Sequence, residues 1–172
     1  IVANKSPKPV ILYNVPGRTA SNITAETTLK LAQHPNIIAV KEASGDLVQC
    51  IEIAKNKPED FLLISGDDML TIPMMSIGGQ GVISVLANAF PAIFSEMVQD
   101  GLAGNFRKAS QGLYQISGIN PHMYTESNPV GVKQAMALQD LCTNVVRMPL
   151  LPASDALKAQ IAALMPPVGV QS

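Results

Sequence analysis

At 172 residues the chain is long enough for one domain with a sizeable core. Charged residues make up 15% and hydrophobic ones 47%, with a net charge of −1 and no run of Lys or Arg, so nothing marks a nucleic-acid or anionic-membrane partner. No apolar stretch approaches the roughly 20 residues of a membrane helix.

Cys50 and Cys142 lie 92 positions apart, with no CxxC and no His near either. They read as buried reduced thiols, not as a disulfide framework or a metal site. With no secretory signal, the expected location is cytoplasmic.

In chain order, Ile1 to Lys5 lacks an initiator Met and reads as the tail of a helix running into the break Ser6-Pro7-Lys8-Pro9. The chain is therefore expected to be a piece of a longer protein. Val10 to Tyr13 is a short apolar run that ends in the loop Asn14-Val15-Pro16-Gly17-Arg18-Thr19. Thr24 can cap a helix through about Gln33, which His34-Pro35-Asn36 stops. Ile37 to Val40 then runs into Lys41, an unbroken apolar stretch of the kind a strand buried on both faces shows.

Asp46 can cap the next helix, with Val48, Ile51, Ile53 and Ala54 turned inward and Asn56-Lys57-Pro58 at its end. Phe61 to Ser65 is a third strand, leading into Gly66-Asp67-Asp68. A short helix over about 71–77 and the loop Gly78-Gly79-Gln80-Gly81 precede a fourth strand, Val82 to Val85. Strand centres near 12, 39, 63 and 83 leave about 27, 24 and 20 residues between them, the length of a strand-helix-strand crossover with parallel strands. Without a glycine-rich dinucleotide fingerprint, this rhythm favours half of a (β/α)8 barrel over a doubly wound sheet.

The remainder is helical. One helix spans 90–100, with Pro91 in its first turn and Gly101 just past its end; another runs from 105 to about 117 with the stripe Phe106, Ala109, Leu113, Ile116. Pro129 opens a helix carrying Val132, Ala135, Met136 and Leu138, and Ser154 or Asp155 opens the last, with Leu157, Ile161 and Leu164 inward. The eight methionines read as core packing, and the tail from Pro166 to Ser172 as frayed. The expected division is a barrel half over 1–100 and a helical segment over 101–172.

Lys41 is the residue around which chemistry could gather. At the carboxyl end of a strand it either marks the exit to solvent or emerges where α/β sheets and barrels hold their sites. A desolvated lysine amine loses its proton more readily and can form Schiff bases with carbonyl compounds. Tyr13 ends the neighbouring strand at the same level, where a phenol could shuttle a proton beside the amine; it could equally be a structural tyrosine. Arg18, just beyond the Pro16-Gly17 turn, could fork onto a substrate carboxylate or make a surface ion pair.

Asp67 and Asp68 read first as helix caps, and Asn128, before Pro129, likewise. Ile83 can offer only its backbone carbonyl or its apolar body. His34 and His122 read as structural or exposed.

Four segments together, Tyr13-Asn14-Val15-Pro16-Gly17-Arg18-Thr19, Lys41-Glu42-Ala43-Ser44-Gly45, Ser65-Gly66-Asp67-Asp68 and Gly81-Val82-Ile83-Ser84-Val85, resemble the 4-hydroxy-tetrahydrodipicolinate synthase family, formerly called dihydrodipicolinate synthases. These are class I aldolase-type (β/α)8 barrels, and the 28 residues from Tyr13 to Lys41 suit them. The resemblance covers essentially the whole chain and implies that it carries strands five to eight of the barrel and the helices that follow.

It further implies that Lys41 forms a Schiff base with pyruvate, that Tyr13 gives and takes the proton, and that the Ile83 carbonyl contacts bound pyruvate. Arg18 would receive the carboxylate of L-aspartate 4-semialdehyde, with Gly66, Asp67 and Asn128 lining the pocket. No metal or organic cofactor is implied, and a homo-oligomer, a dimer of dimers, is. The first four strands, a pyruvate-binding threonine pair, a tyrosine donated across a dimer interface and the lysine inhibitor site would belong to the half that is absent, so this chain alone is not expected to be competent.

Two other readings stay open. A sister aldolase acting on sialic or keto-deoxy sugar acids shares the lysine and tyrosine, but its aldehydes lack the carboxylate that Arg18 would meet. A catalytically silent barrel kept as a binding module is the other. A pyridoxal phosphate lysine is disfavoured because no phosphate-cradling loop stands out.

Overall fold

Within residues 1–166, which the computed structural model describes, nine α-helices, two 3-10 turns and three β-strands follow one another. They form two units, one of residues 1–84 with 100–106 and the other of residues 85–99 with those from Arg107 onward. Among the described residues no helix is long and apolar enough to cross a membrane.

The first unit is built on a parallel sheet of order β1-β2-β3, with β1 at Val10–Asn14, β2 at Ile37–Glu42 and β3 at Leu62–Ser65. Apolar residues, Val, Ile and Leu above all, dominate these runs, as strands covered by packing favour. The register sets Tyr13 beside Lys41 and Lys41 beside Ile64. Three helices lie between or after the strands: α3 at Ala25–Leu31, α4 at Leu47–Asn56 and α5 at Thr71–Ser76, with the short turns α1 (Val2–Lys5) and α2 (Pro16–Thr19) preceding them.

The caps expected at Thr24 and Asp46 form. Thr24 accepts the Thr27 N–H at 3.2 Å and Asp46 the Gln49 N–H at 3.0 Å, each worth about 1 kcal/mol. Gly45 takes φ +80° between β2 and α4, a left-handed turn that a residue with a Cβ enters only with strain. The core on the helix side joins Ile37, Val40, Cys50, Ile53, Phe61, Leu63 and Met74. Strand alternation turns Ile11, Tyr13 and Leu62 to the other face, where they are exposed.

Two expectations are corrected here. Val48 and Ile51 do not face inward: they are 77% and 48% exposed, while Cys50 and Ile53 fill the core. The fourth strand is reduced to a single parallel bridge between Ser65 and Val82. Ser65 N–H donates to the Gly81 carbonyl at 2.8 Å and Ile83 N–H to the Ser65 carbonyl at 2.9 Å, and regular pairing stops there. Below the bridge, the Gln80 side-chain oxygen accepts the Leu63 N–H at 2.9 Å in place of a backbone carbonyl. Above it, Val85 is already helical and leads into the 3-10 turn Leu86–Asn88.

The second unit is helical, with α6 at Pro91–Leu102, α7 at Phe106–Ser117, α8 at Val130–Ala137 and α9 at Asp155–Leu164, of which the last residues of α6 and the first of α7 are grouped with the first unit. Its buried apolar residues include Phe94, Met97, Ile116, Met123, Leu157 and Ile161. Gly131 lets α8 approach the turn Asn120–Met123 closely, since a Cβ there would stand 2.3 Å from the His122 carbonyl oxygen. Ser154 caps α9 through Leu157 N–H at 3.2 Å.

Gly101 lies inside α6 instead of beyond it, and Leu138 and Leu164 are exposed at helix ends instead of inward. Cys50 is buried, but Cys142 is only half-buried, and both are free thiols. Of the frayed tail expected from Pro166, residues 167–172 lie outside the described residues.

Candidate active site

The carboxyl ends of β1, β2 and β3 bring three of the expected groups into one region of the first unit. Lys41 and Tyr13 are register partners on adjacent strands, so their side chains leave the sheet on the same face. The Lys41 Nζ stands 4.3 Å from the centroid of the Tyr13 ring, over its face, where the ring quadrupole attracts an ammonium. Lys41 is half-buried and Tyr13 is 47% exposed, so amine and phenol border an open surface.

Gly66 makes room for that amine. Its N–H donates to the Glu42 carbonyl at 2.7 Å, and a Cβ at position 66 would lie 3.1 Å from Lys41 Cε and 2.7 Å from the Ala43 Cβ. Ile83 holds to the edge of β3 through its N–H, and its own carbonyl accepts no hydrogen bond among the described residues.

Arg18 sits on the one-turn helix α2, not in an irregular loop; Pro16 opens the turn and Ala20, at φ 54°, closes it. Its guanidinium is exposed and makes no ion pair or hydrogen bond among the described residues. Asp67 does what a capping aspartate does: Oδ1 accepts the N–H groups of Met69 at 2.8 Å and Leu70 at 3.3 Å. Asp68 is buried beside it.

Asn128 belongs to the second unit, and α8 starts after Pro129 without a side-chain cap, so the capping expectation fails there. His34 accepts the Asn36 N–H on Nδ1 at 3.1 Å and is structural.

Two residues of this region escaped the sequence reading. Asn14 is not the first loop residue but the last of β1, 1% exposed, and Glu42 is 2% exposed at the end of β2. Asn14 Nδ2 donates to both Glu42 oxygens, at 3.1 and 2.9 Å, across 28 residues of sequence. The signal was their shared offset: each follows a candidate site residue by one position, which puts both on the opposite face from the open surface. Nearby, burial and then the Glu42 and Asp46 carboxylates push the Cys50 thiol up to about 12, which makes it an inert core group.

Parallel strands that deliver a lysine and a tyrosine to one carboxyl edge define an α/β protein suited to amine chemistry on carbonyl compounds. Comparison with known proteins gives the same class a family. The family model for the dihydrodipicolinate synthetase family matches residues 1–166. The chain is 51% identical over 156 residues to 4-hydroxy-tetrahydrodipicolinate synthase of Cytophaga hutchinsonii, covering 91% of this chain and 52% of that protein. Against the enzyme of the same name from Flavobacterium psychrophilum, identity is 46%, with 94% and 55% covered.

The crystal structure of dihydrodipicolinate synthase from Aquifex aeolicus superposes with a TM-score of 0.90 at 35% identity, over 96% of this chain and 58% of that one. The chain belongs to the dihydrodipicolinate synthetase family. It spans about half the length of the curated relatives it matches.

Proposed function

We propose that this chain is the carboxyl-terminal half of a pyruvate-dependent Schiff-base lyase. The whole protein would condense pyruvate with L-aspartate 4-semialdehyde to 4-hydroxy-tetrahydrodipicolinate, on the way to diaminopimelate and lysine. The observation that carries the reading is the register pair Tyr13–Lys41, with the amine 4.3 Å from the ring. The family supports the substrates. The shares of the relatives that the chain covers support its standing as about half of such a protein. The proposal takes that half as strands five to eight and the helices beyond, with 1–100 as the barrel half and 101–172 as the helical segment.

In this reaction the neutral Lys41 amine attacks the pyruvate ketone, water leaves, and an imine remains. Loss of a methyl proton gives an enamine whose carbon attacks the aldehyde. The semialdehyde's own amine then adds to the regenerated imine carbon, closing the ring and releasing the Lys41 amine. Tyr13, beside the amine, is the group placed to give and take protons at the carbinolamine and alkoxide oxygens. The Ile83 carbonyl, with a free lone pair, suits a contact to the bound pyruvate. The unpaired Arg18 guanidinium suits the semialdehyde carboxylate, which its fork binds with two bonds. The same arginine weighs against a sister aldolase working on sugar acids, and the paired lysine and tyrosine weigh against a silent binding module. A homo-oligomer in the cytoplasm completes the proposal.

Arg18→Ala in the complete polypeptide tests the substrate assignment. Turnover with aspartate semialdehyde should fall by roughly 10²-fold or more, as for a lost positioning clamp, while covalent capture of pyruvate survives. Equal loss of both would remove Arg18 from this role, and turnover of sugar acids instead would favour the sister aldolases. The 172-residue chain alone is expected to show no turnover.

A further inference from the structure

Glu42 follows Lys41, so alternation sends its carboxylate to the far face of β2, where it is 2% exposed. Among the described residues no cation pairs with it. Every partner is a neutral donor: Asn14 Nδ2 to both oxygens, the Ser44 N–H to Oε1 at 2.7 Å, and Gln49 Nε2 to Oε2 at 3.0 Å. A buried charge is costly, and an apolar residue would fill the same space without that cost. What only an acceptor on both oxygens supplies is a fixed orientation for these donors.

The donors reach each element of the site. Asn14 follows Tyr13, and its Oδ1 accepts the Ile23 N–H at 2.9 Å while its Nδ2 also donates to Asn22 Oδ1 at 2.8 Å. The segment carrying Arg18 thus leaves Asn14 and returns to the same side chain. Asn22 and Gln49 close the ring, Asn22 Nδ2 donating to Gln49 Oε1 at 2.9 Å and Gln49 Nε2 to the Ile23 carbonyl at 3.2 Å. Through Ser44 the carboxylate also holds the turn that ends the Lys41 strand.

We propose that Glu42 is a positioning residue, the hub of a cation-free clasp that fixes Lys41, Tyr13 and the Arg18 turn relative to one another. The role rests on the Schiff-base reading above. Glutamine at this position would bring an amide NH2 against donors that cannot all reverse, since Asn14 is held by Ile23 N–H on one side.

The test uses the complete polypeptide, with kcat, both KM values, the rate of pyruvate capture by borohydride, and Tm measured for each variant. In Glu42→Gln, kcat and capture rate should both fall by about 10²-fold, with the pyruvate KM within about threefold, as a small misplacement of reacting groups would give. Adding Asn14→Asp, which returns an acceptor opposite the new amide, should recover at least about tenfold of the lost kcat. A folded Glu42→Gln enzyme with kcat within threefold of the parent, or a double variant no better than the single one, would overturn the proposal.

Should Glu42→Gln fail to fold, the exposed Asn22→Ala takes its place. A fall in kcat of several-fold at unchanged Tm supports the clasp, and an unchanged kcat overturns it. If the unmutated protein captures no pyruvate, the Schiff-base reading itself has failed, visibly and before any variant is made, and the positioning role falls with it.

Discussion

The two ends of the sheet are built to different rules. At the amino ends, Ile37 and Phe61 enter the core directly, and the polar groups stay in turns such as His34–Asn36. At the carboxyl ends the chain buries polar side chains: of seven buried polar or charged residues among those described, Asn14, Glu42, Ser65, Asp68 and Thr71 lie there. A buried polar group contributes stability only when fully bonded, and then little. Concentrating them at one end of three strands therefore serves placement more than stability. The amino end should answer to mutation as a packed core does, and the carboxyl end as a site does.

Lys41→Arg should produce the largest separation of the two behaviours. It keeps the charge over the Tyr13 ring but removes the amine, so turnover of the complete polypeptide should fall on the order of 10⁴-fold, as for loss of a covalent nucleophile. Melting should stay within a few degrees of the parent. Gly66→Ala comes next. Its new Cβ would press on the Ala43 Cβ at 2.7 Å and on Lys41 Cε at 3.1 Å. Steady-state kinetics should show kcat lower by about 10²-fold, and chemical denaturation a loss of about 1–3 kcal/mol, the ordinary cost of overpacking.

Ile53→Ala, on the helix side of the core and fully buried, should do the reverse. Urea unfolding should show about 2–5 kcal/mol lost, with kcat per folded molecule unchanged. A large kcat effect there would erase the distinction between the two ends.

The smallest expected effect lies in the second unit. Glu126 accepts the Ser154 hydroxyl and the Ser154 N–H, and these bonds, the hydroxyl first, hold its carboxyl below the ordinary 4.5. A lowered native pKa stabilises the fold above the unfolded value and loses that contribution as pH falls through the native one. Thermal melts between pH 5 and 3, a span set around that 4.5, should therefore drop slightly less for Glu126→Gln than for the parent.

The strands, the capped helices and the Lys41–Tyr13 pairing were legible because each rests on local chemistry: apolar runs, capping side chains, and the period of two that sends register partners to one face. What was not legible needed three-dimensional neighbours. Val82-Ile83-Ser84-Val85 has strand propensity, yet below it the Gln80 side chain takes the Leu63 N–H and above it Val85 turns helical, so among the described residues only the Ser65–Val82 bridge forms. On α4 the sequence offers two apolar stripes, Val48 with Ile51 and Cys50 with Ile53 and Ala54, and helical period cannot choose between them. Contact with Phe61, Leu63 and Val40 chooses the second. Asn14 and Glu42 read as ordinary polar residues until the parallel register of β1 and β2 sets them side by side.

The central claim is that Lys41 is the nucleophile. Incubating the complete polypeptide with pyruvate and borohydride, then mapping the product by peptide mass spectrometry, tests it most directly. The peptide containing Lys41 should carry the reduced pyruvate adduct, one per chain, and Lys41→Arg should carry none. No adduct, or an adduct on another lysine, would contradict the claim.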